Sequence, residues 1–309
     1  MAEVACGPYH PSMRFGLCIP NNQGVEHVRD LVDLAREGEA LGYDSAWVSD
    51  HLFHASYVAA RLGNRPYHEP LIVLAAIAGA TSRIALGTSV LVLPWHHPVR
   101  LAKTVASLDD LSGGRVILGV GVAETRDEYA NLGIDFAQRG RIADDYLEAL
   151  HRLWTEDVPS LDGRYVSFAG LRFEPKSHAP IWVGGSSAAA YRRTARFGDG
   201  WHPLSLSPAA VTAGRADVRA ALTAAGRGAD GFRIAPRVVL EFVDEPWERP
   251  VEQRRTGRGT SPELVDYVRA FAAAGATDLV VDANTGDLER ARDLYGRFAR
   301  EVMAVVNAP

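Results

Sequence analysis

The run RIALGTSVLVLPWHHPVRLAKTVASLDDLSGGRVILGVGVA, residues 83–123, decides the fold. Its first part, Arg83 to Leu93, carries Ile84, Leu86, Val90 and Val92 and predicts a strand. From Pro98 onward, Leu101, Val105, Leu108 and Leu111 recur at helical spacing and make one apolar face. That helix should stop at Gly113-Gly114, where a residue without Cβ takes the left-handed turn that ends helices. Arg115 to Val120 then returns to an almost continuous apolar run, the pattern of a strand buried on both faces. A strand, a helix and a second strand in one short span make a βαβ unit, whose two strands are parallel.

The same alternation extends both ways. Upstream, Arg14 to Ile19 is a strand closed by Pro20, and Val28, Leu31, Val32 and Ala35 form a helical face ending near Gly42. Ser45 to Ser49 is a second strand, followed by a loop, His51 to His68, rich in His and aromatics. Pro70 then opens an apolar helix to Ala80. Downstream, a loop with Glu124 leads to a helix bearing Ile142, Tyr146, Ala149, Leu150 and Leu153. Residues 155–179 interrupt the alternation, and Asp162-Gly163 followed by Tyr165, Val166 and Phe168 predicts an inserted β-hairpin. Further strands follow at Ile181–Val183, Gly200–His202, Ile234–Val243 and Leu279–Val281. Ser207-Pro208 and Ser261-Pro262-Glu263 start helices, each reading as a cap followed by Pro at the first helical position. Glu245 to Gly259 is charged, carries prolines and reads as an exposed loop. Eight β units, each followed by a helix, give an α/β fold, a (β/α)₈ TIM barrel over residues 14–309 with an inserted hairpin and extra loops. Residues 1–13 read as a flexible N-terminal extension. An open doubly wound sheet would want Gly-x-Gly-x-x-Gly after the first strand. The GVGVAE of residues 119–124 lacks the third Gly and enters no helix directly.

Composition narrows the function classes. The chain has 309 residues with 47% hydrophobic and 23% charged side chains, enough for a large core and against disorder. Two cysteines, Cys6 and Cys18, exclude a disulfide scaffold and point to a reducing compartment, hence a cytoplasmic expectation. A net charge of −5 gives no footprint for nucleic acid. The longest apolar run, Pro70–Ala80, falls short of the roughly 20 residues a membrane span needs. The N-terminus lacks a signal peptide's basic start and apolar centre.

In a barrel the ligand site lies at the C-terminal ends of the strands, which selects few residues. Asp50-His51 ends strand two, and an imidazole near a carboxylate can shuttle protons around neutral pH. The competing reading of His51 is a loop cap. Ser89 and Val90 stand at the end of strand three, and Gly119 and Gly121 at the end of strand four. Those glycines either let a flat ring lie on bare backbone or allow close strand packing. Gly184-Gly185-Ser186-Ser187 opens a helix after strand five, where free N–H groups and hydroxyls would hold a phosphate. The same run also suits a plain tight turn. His54, His68, His96 and His97 are weaker candidates, and no His pair has metal-site spacing, so no metal is expected.

Together, RFGLCIPN (14–21), GYDSAWVSDH (42–51), the run 83–123 with its LDDLSGGR, RGRIADDYLEALHRLW (139–154) and APIWVGGSSAAAYRRTARFGDGWHP (179–203) resemble the luciferase-like monooxygenase family. Within it they look most like the short oxidoreductases that depend on the deazaflavin coenzyme F420. The resemblance implies a homodimeric barrel that binds F420, or alternatively FMN, at its C-terminal mouth. It implies a ring resting on a strand-three bulge, often with a non-proline cis peptide, here around Ser89-Val90. Gly119 and Gly121 match the family's strand-four glycines, and the phosphate would sit on Gly184 to Ser187. His51 matches the proton-transfer residue, and Asp50 the backbone position that contacts the deazaflavin. Arg192, Arg193 and Arg196, just after the phosphate turn, could face the acidic tail of F420. The implied reaction is hydride transfer between the deazaflavin and a small organic substrate. The alternative is an FMN-dependent monooxygenase that uses oxygen and takes reduced flavin from a separate reductase, and a third reading is a barrel that sequesters flavin. Where some deazaflavin dehydrogenases carry Glu directly after the second glycine, this chain has Val122, with Glu124 two residues on.

Overall fold

Eight parallel strand positions close on themselves in the structure, a computed structural model that describes residues 13–308. In chain order the strands are β1 (Arg14–Cys18), β2 (Ser45–Val48), β3 (Ala85–Thr88), β4 (Leu91–Val92) and β5 (Val116–Gly121). They continue with β6 (Leu161–Asp162), β7 (Ser167–Phe168), β8 (Ile181–Gly184), β9 (Gly200–His202) and β10 (Arg233–Ile234). The last are β11 (Arg237–Phe242), β12 (Gly257–Gly259) and β13 (Asp278–Asp282). The helices are α1 (Val28–Ala40), α2 (Ser56–Leu62), α3 (Pro70–Ala80), α4 (Pro98–Ser112), α5 (Arg126–Asn131) and α6 (Arg139–Thr155). After them come α7 (Ala188–Phe197), α8 (Pro208–Ala224), α9 (Ser261–Ala273), α10 (Leu288–Phe298) and α11 (Ala304–Val306). The sheet runs from β10 through β9, β8, β5, β3, β2, β1 and β13 to β11. The ring closes beyond β9, where Leu204 bridges to Arg237, Arg237 N–H donates to the Pro203 carbonyl at 2.9 Å and Ser205 N–H to the Arg237 carbonyl at 2.9 Å.

The deciding run behaves as its periodicity predicts. α4 ends where Gly113 takes φ 70°, and β3 and β5 pair in parallel. Five details differ. Strand three is not continuous from Arg83 to Leu93 as its periodicity predicts: the Ser89–Val90 peptide is cis, as the family resemblance implies, and the strand resumes as β4 before a 3₁₀ turn at Leu93–Trp95. Strand seven divides at Ala235-Pro236, since Pro236 has no N–H to give the ladder. The loop His51 to His68 contains α2. The expected exposed loop 245–259 instead contributes β12 beside β11 and buries Arg254, which pairs with Glu263 at 2.7 Å. The cap of α9 is Thr260 rather than Ser261, in a reciprocal box with Glu263. The inserted hairpin is present as β6 and β7, antiparallel and short. The expected extension 1–13 lies outside the described residues except for Met13, which is buried.

Two layers hold the barrel. Outside, the apolar faces of the helices pack on the strands. Inside, Trp47, Trp182, Cys18, Ala235 and Val280 fill the lumen below the mouth. Trp47 lies 5.3 Å from Trp182 and stacks on His202 at 4.8 Å between centroids. Burial pushes the Cys18 thiol well above its ordinary pKa, so it acts as an apolar filler.

β3 approaches β5 so closely that a Cβ on Gly119 would sit 1.8 Å from the Thr88 carbonyl oxygen, while Thr88 Oγ1 donates to the Gly119 carbonyl at 2.7 Å. Gly119→Ala should therefore destabilise the fold by about 1–3 kcal/mol or more, since backbone must move. Gly79→Ala, on the exposed side of α3 with nothing near the new methyl, should stabilise by about 0.5–1 kcal/mol. Denaturant unfolding of both variants checks the contrast.

Candidate active site

The C-terminal strand ends surround a cavity of about 410 Å³. Asp50, His51, Ser89 and Val90 line it, with Tyr57, Arg61 and Tyr67 from the segment after β2. Asp50 and His51, just past the end of β2, are neighbours in sequence but take different partners. Asp50 Oδ2 accepts from Val92 N–H at 2.9 Å and lies 2.7 Å from His96 Nε2, while its Oδ1 is buried without a partner. His51 finds its carboxylate elsewhere: Nδ1 lies 2.6 Å from Glu128 Oε2. This corrects the expectation that Asp50 serves His51.

Glu128 stands on α5 and is fully buried. Its Oε1 accepts from the Leu52 and Phe53 N–H groups at 2.9 and 3.1 Å. Burial works to raise its pKa; the His51 hydrogen bond and charge and the two N–H donors outweigh that and hold it below the usual Glu range. A carboxylate accepts only, so His51 Nδ1 carries a proton. His51 Nε2 lies 2.9 Å from the Tyr57 hydroxyl, and the rings of Tyr57, Tyr67 and Trp95 stand 5.6–5.8 Å from the imidazole.

Beneath the cavity a second network holds the bulge. Arg237 pairs with Asp282 at 2.7 Å, and its Nη1 donates to the Ser89 carbonyl at 2.7 Å and to Ser49 Oγ at 2.9 Å. His202 Nδ1 lies 2.5 Å from the Ala235 carbonyl and must donate to it, so Nε2 accepts from the Ser89 hydroxyl at 2.7 Å. Burial drives the His202 pKa down to about 3 and keeps the ring neutral.

The glycines serve the bulge from behind. A Cβ on Gly121 would meet Val90 Cγ2 at 2.5 Å, and one on Gly184 would meet Val90 Cγ1 at 3.0 Å, so the Val90 side chain occupies the room they leave. Neither Gly119 nor Gly121 lines the cavity. Gly184 to Ser187 form the exit of β8, outside the cavity lining but at the same end of the barrel. Gly185 takes φ 97°, Ser186 is exposed, and Ser187 Oγ accepts from Ala190 N–H to cap α7. Of the three arginines considered for an acidic tail, Arg193 is buried on Asp144 at 2.7 Å and Arg196 pairs with Glu148 at 3.0 Å.

Sequence reasoning missed Glu128, Tyr57, Arg61, Tyr67, His202 and Arg237, and ranked His96 low. Glu128 sits in a Thr-Arg-Asp-Glu stretch that reads as a plain acidic first turn, and only the fold brings it to His51. The His-rich and aromatic composition of residues 51–68 was the one signal available for Tyr57 and Tyr67. Among the described residues no three potential metal ligands cluster, and no helix is long and apolar enough to cross a membrane.

Fold and site together define a (β/α)₈ barrel with a histidine-bearing ligand cavity at its C-terminal mouth. The sequence profile of the luciferase-like monooxygenases matches residues 13–255, and the chain belongs to that family. An uncharacterised protein of Mycobacterium tuberculosis is 34% identical over 182 residues; the match covers 54% of this chain and 64% of that protein's length. The 4-hydroxyprotoasukamycin monooxygenase of Streptomyces nodosus subsp. asukaensis is 30% identical over 96% of this chain and 84% of its own. The F420-dependent glucose-6-phosphate dehydrogenase of Amycolatopsis mediterranei is 32% identical over 56% of this chain and 52% of its own. In fold, the monooxygenase RslO1 of Streptomyces bottropensis superposes with a TM-score of 0.80 at 22% identity, covering 95% of this chain and 99% of its own. The family therefore includes F420-dependent oxidoreductases and monooxygenases among this chain's relatives.

His202 gives the site a pH signature. Unfolded, its imidazole takes up a proton near the ordinary 6.5; folded, it resists until about 3. Its contribution to stability is complete above pH 6.5 and is lost as pH falls toward 3, with a slope of about 1.4 kcal/mol per pH unit. His202→Gln should remove that slope, read by chemical unfolding across the interval.

Proposed function

We propose that the chain is an F420-dependent oxidoreductase that moves a hydride between the deazaflavin and a small organic substrate. The observation that carries the reading is the unsatisfied polar lining around His51. Asp50 Oδ1, Arg61 Nε and the Tyr67 hydroxyl are all buried without partners, and all three residues face the one cavity. Buried polar groups are normally paired, so this lining fits a planar ligand with donors and acceptors on its edge. The turn at Gly184 to Ser187 fits the phosphate: Gly185 has its left-handed backbone, Ser186 is exposed, and α7 begins there with its first N–H groups unclaimed by helix bonds. When bound, the deazaflavin supplies a two-electron hydride. The protein's part is to hold the ring against Ser89-Val90 with Asp50 beside it, and to keep a proton at His51, which Glu128 orients. The FMN-dependent monooxygenase, fed by a separate reductase, is the second reading, favoured by the monooxygenase relative that aligns along almost the whole chain. The protein acts as a homodimer in the cytoplasm in either reading.

Titration of the purified chain with F420 and with FMN, at low and high salt, separates the two; preference for FMN would overturn the first. Ser186→Asp sets a negative charge at the turn without disturbing Gly185. It should weaken cofactor binding at least tenfold, about 1.4 kcal/mol. His51→Ala should lower turnover by about 10²–10⁴ with cofactor affinity little changed.

A further inference from the structure

We propose that Tyr57 rather than His51 hands the proton to the substrate, as the outer end of a Glu128–His51–Tyr57 relay, and that the acceptor is a carbonyl oxygen seated by Tyr57, Tyr67 and Arg61. The inference rests on the hydride-transfer reading above.

Both imidazole nitrogens are engaged. Nδ1 is held by Glu128 at 2.6 Å and Nε2 by the Tyr57 hydroxyl at 2.9 Å. A substrate approaching His51 along Nε2 meets the Tyr57 oxygen first. Tyr57 lines the cavity and is 56% exposed, so its hydroxyl is the point where the chain of hydrogen bonds reaches the ligand. In the loaded relay both ring nitrogens donate, Nδ1 to Glu128 and Nε2 to the Tyr57 oxygen, which leaves the Tyr57 O–H directed at the ligand. In the unloaded relay Tyr57 donates to Nε2.

The transfer balances. Addition of the hydride to the carbonyl carbon forms a C–H bond, breaks the C–O π bond and leaves its electron pair on oxygen. That oxygen takes the Tyr57 proton while the Tyr57 oxygen takes the proton from His51 Nε2. The substrate becomes a neutral alcohol, His51 becomes neutral with Nδ1 still on Glu128, and solvent reloads it through the exposed edge of Tyr57. The buried Glu128 carboxylate stabilises the charged ring and fixes its orientation, which makes it a positioning residue.

Two further donors belong to residues that line the same cavity. Arg61 Nε and the Tyr67 hydroxyl are donors, both buried and both without a partner. Burial raises the Tyr67 hydroxyl well above its ordinary pKa, so it stays a donor. The Arg61 guanidinium lies 5.9 Å from the Tyr57 ring centroid. An oxygen that gains negative charge during reaction satisfies both donors at the moment they matter most.

The test uses Tyr57→Phe, which removes one hydroxyl. With F420H₂ and a panel of small ketones and aldehydes, kcat should fall about 100-fold with KM changed less than threefold. Arg61→Lys should lower kcat/KM about tenfold. A second arm needs no cofactor: long-range ¹⁵N–¹H spectra of the free protein should show His51 Nε2 shifted in Tyr57→Phe with Nδ1 unmoved, and the low-field Nδ1 proton lost in Glu128→Gln. Wild-type kcat in Tyr57→Phe, or an Nε2 signal that does not move, overturns the relay and returns the donor role to His51. An unchanged kcat/KM in Arg61→Lys overturns the carbonyl seat. If the chain takes up no F420, the proposed function fails on that titration, and the spectra alone decide the relay.

Discussion

A guanidinium enclosed in a barrel brings a charge and five N–H donors, and both must be answered or the fold loses several kcal/mol. Arg237 is answered by Asp282 on the neighbouring strand and by Ser89 and Ser49 across the lumen. It is also the residue at which the barrel closes, through its backbone bonds to Pro203 and Ser205. One residue thus closes the last seam of the sheet with its backbone and holds the carbonyl of the strand-three bulge with its side chain. The rest of the mouth follows. With Ser89 held, its hydroxyl turns to the neutral His202, Val90 falls into the space above Gly121 and Gly184, and Val92 presents its N–H to Asp50.

The mouth therefore has two halves of different origin. The strand ends and the lumen build a rigid floor from Ser89, Val90, Asp50 and Arg237. The residues after β2 build a wall from Tyr57, Arg61 and Tyr67, and the buried Glu128 on the short helix α5 stands behind it. His51 is the joint, leaving the floor at the end of β2 and pairing with the wall. Floors of this kind suit a ligand shared across a family, and walls made of inserted segments suit what varies.

The barrel was legible in the sequence because its cause is local. Period and punctuation along residues 83–123 dictate strand, helix and strand, and the alternation repeats. What misread was tertiary. Periodicity alone gives no sign of the break at Ser89-Val90, which only the family resemblance implied; at Ala235-Pro236 the proline is the one mark, and nothing in residues 245–259 shows that Arg254 will be buried on Glu263. For the site, the rule that ligands sit at strand ends picked out Asp50, His51, Ser89 and Val90, all of which line the cavity. It could not pair His51 with Glu128, 77 positions away, because partner choice depends on where α5 lands. Nor could it tell that Gly119 and Gly121 receive protein atoms, Thr88 and Val90, on the side where a ring was imagined.

Glu128 accepts from the backbone of Leu52 and Phe53 as well as from His51. The imidazole and the two residues that follow it are thereby anchored to a single buried carboxylate and behave as one mechanical piece. The wall's freedom begins only at His54. A lineage could rewrite the residues of 54–68 other than Tyr57, Arg61 and Tyr67 to admit a new substrate while the imidazole kept its aim, so altered selectivity need not first cost the relay its inner half.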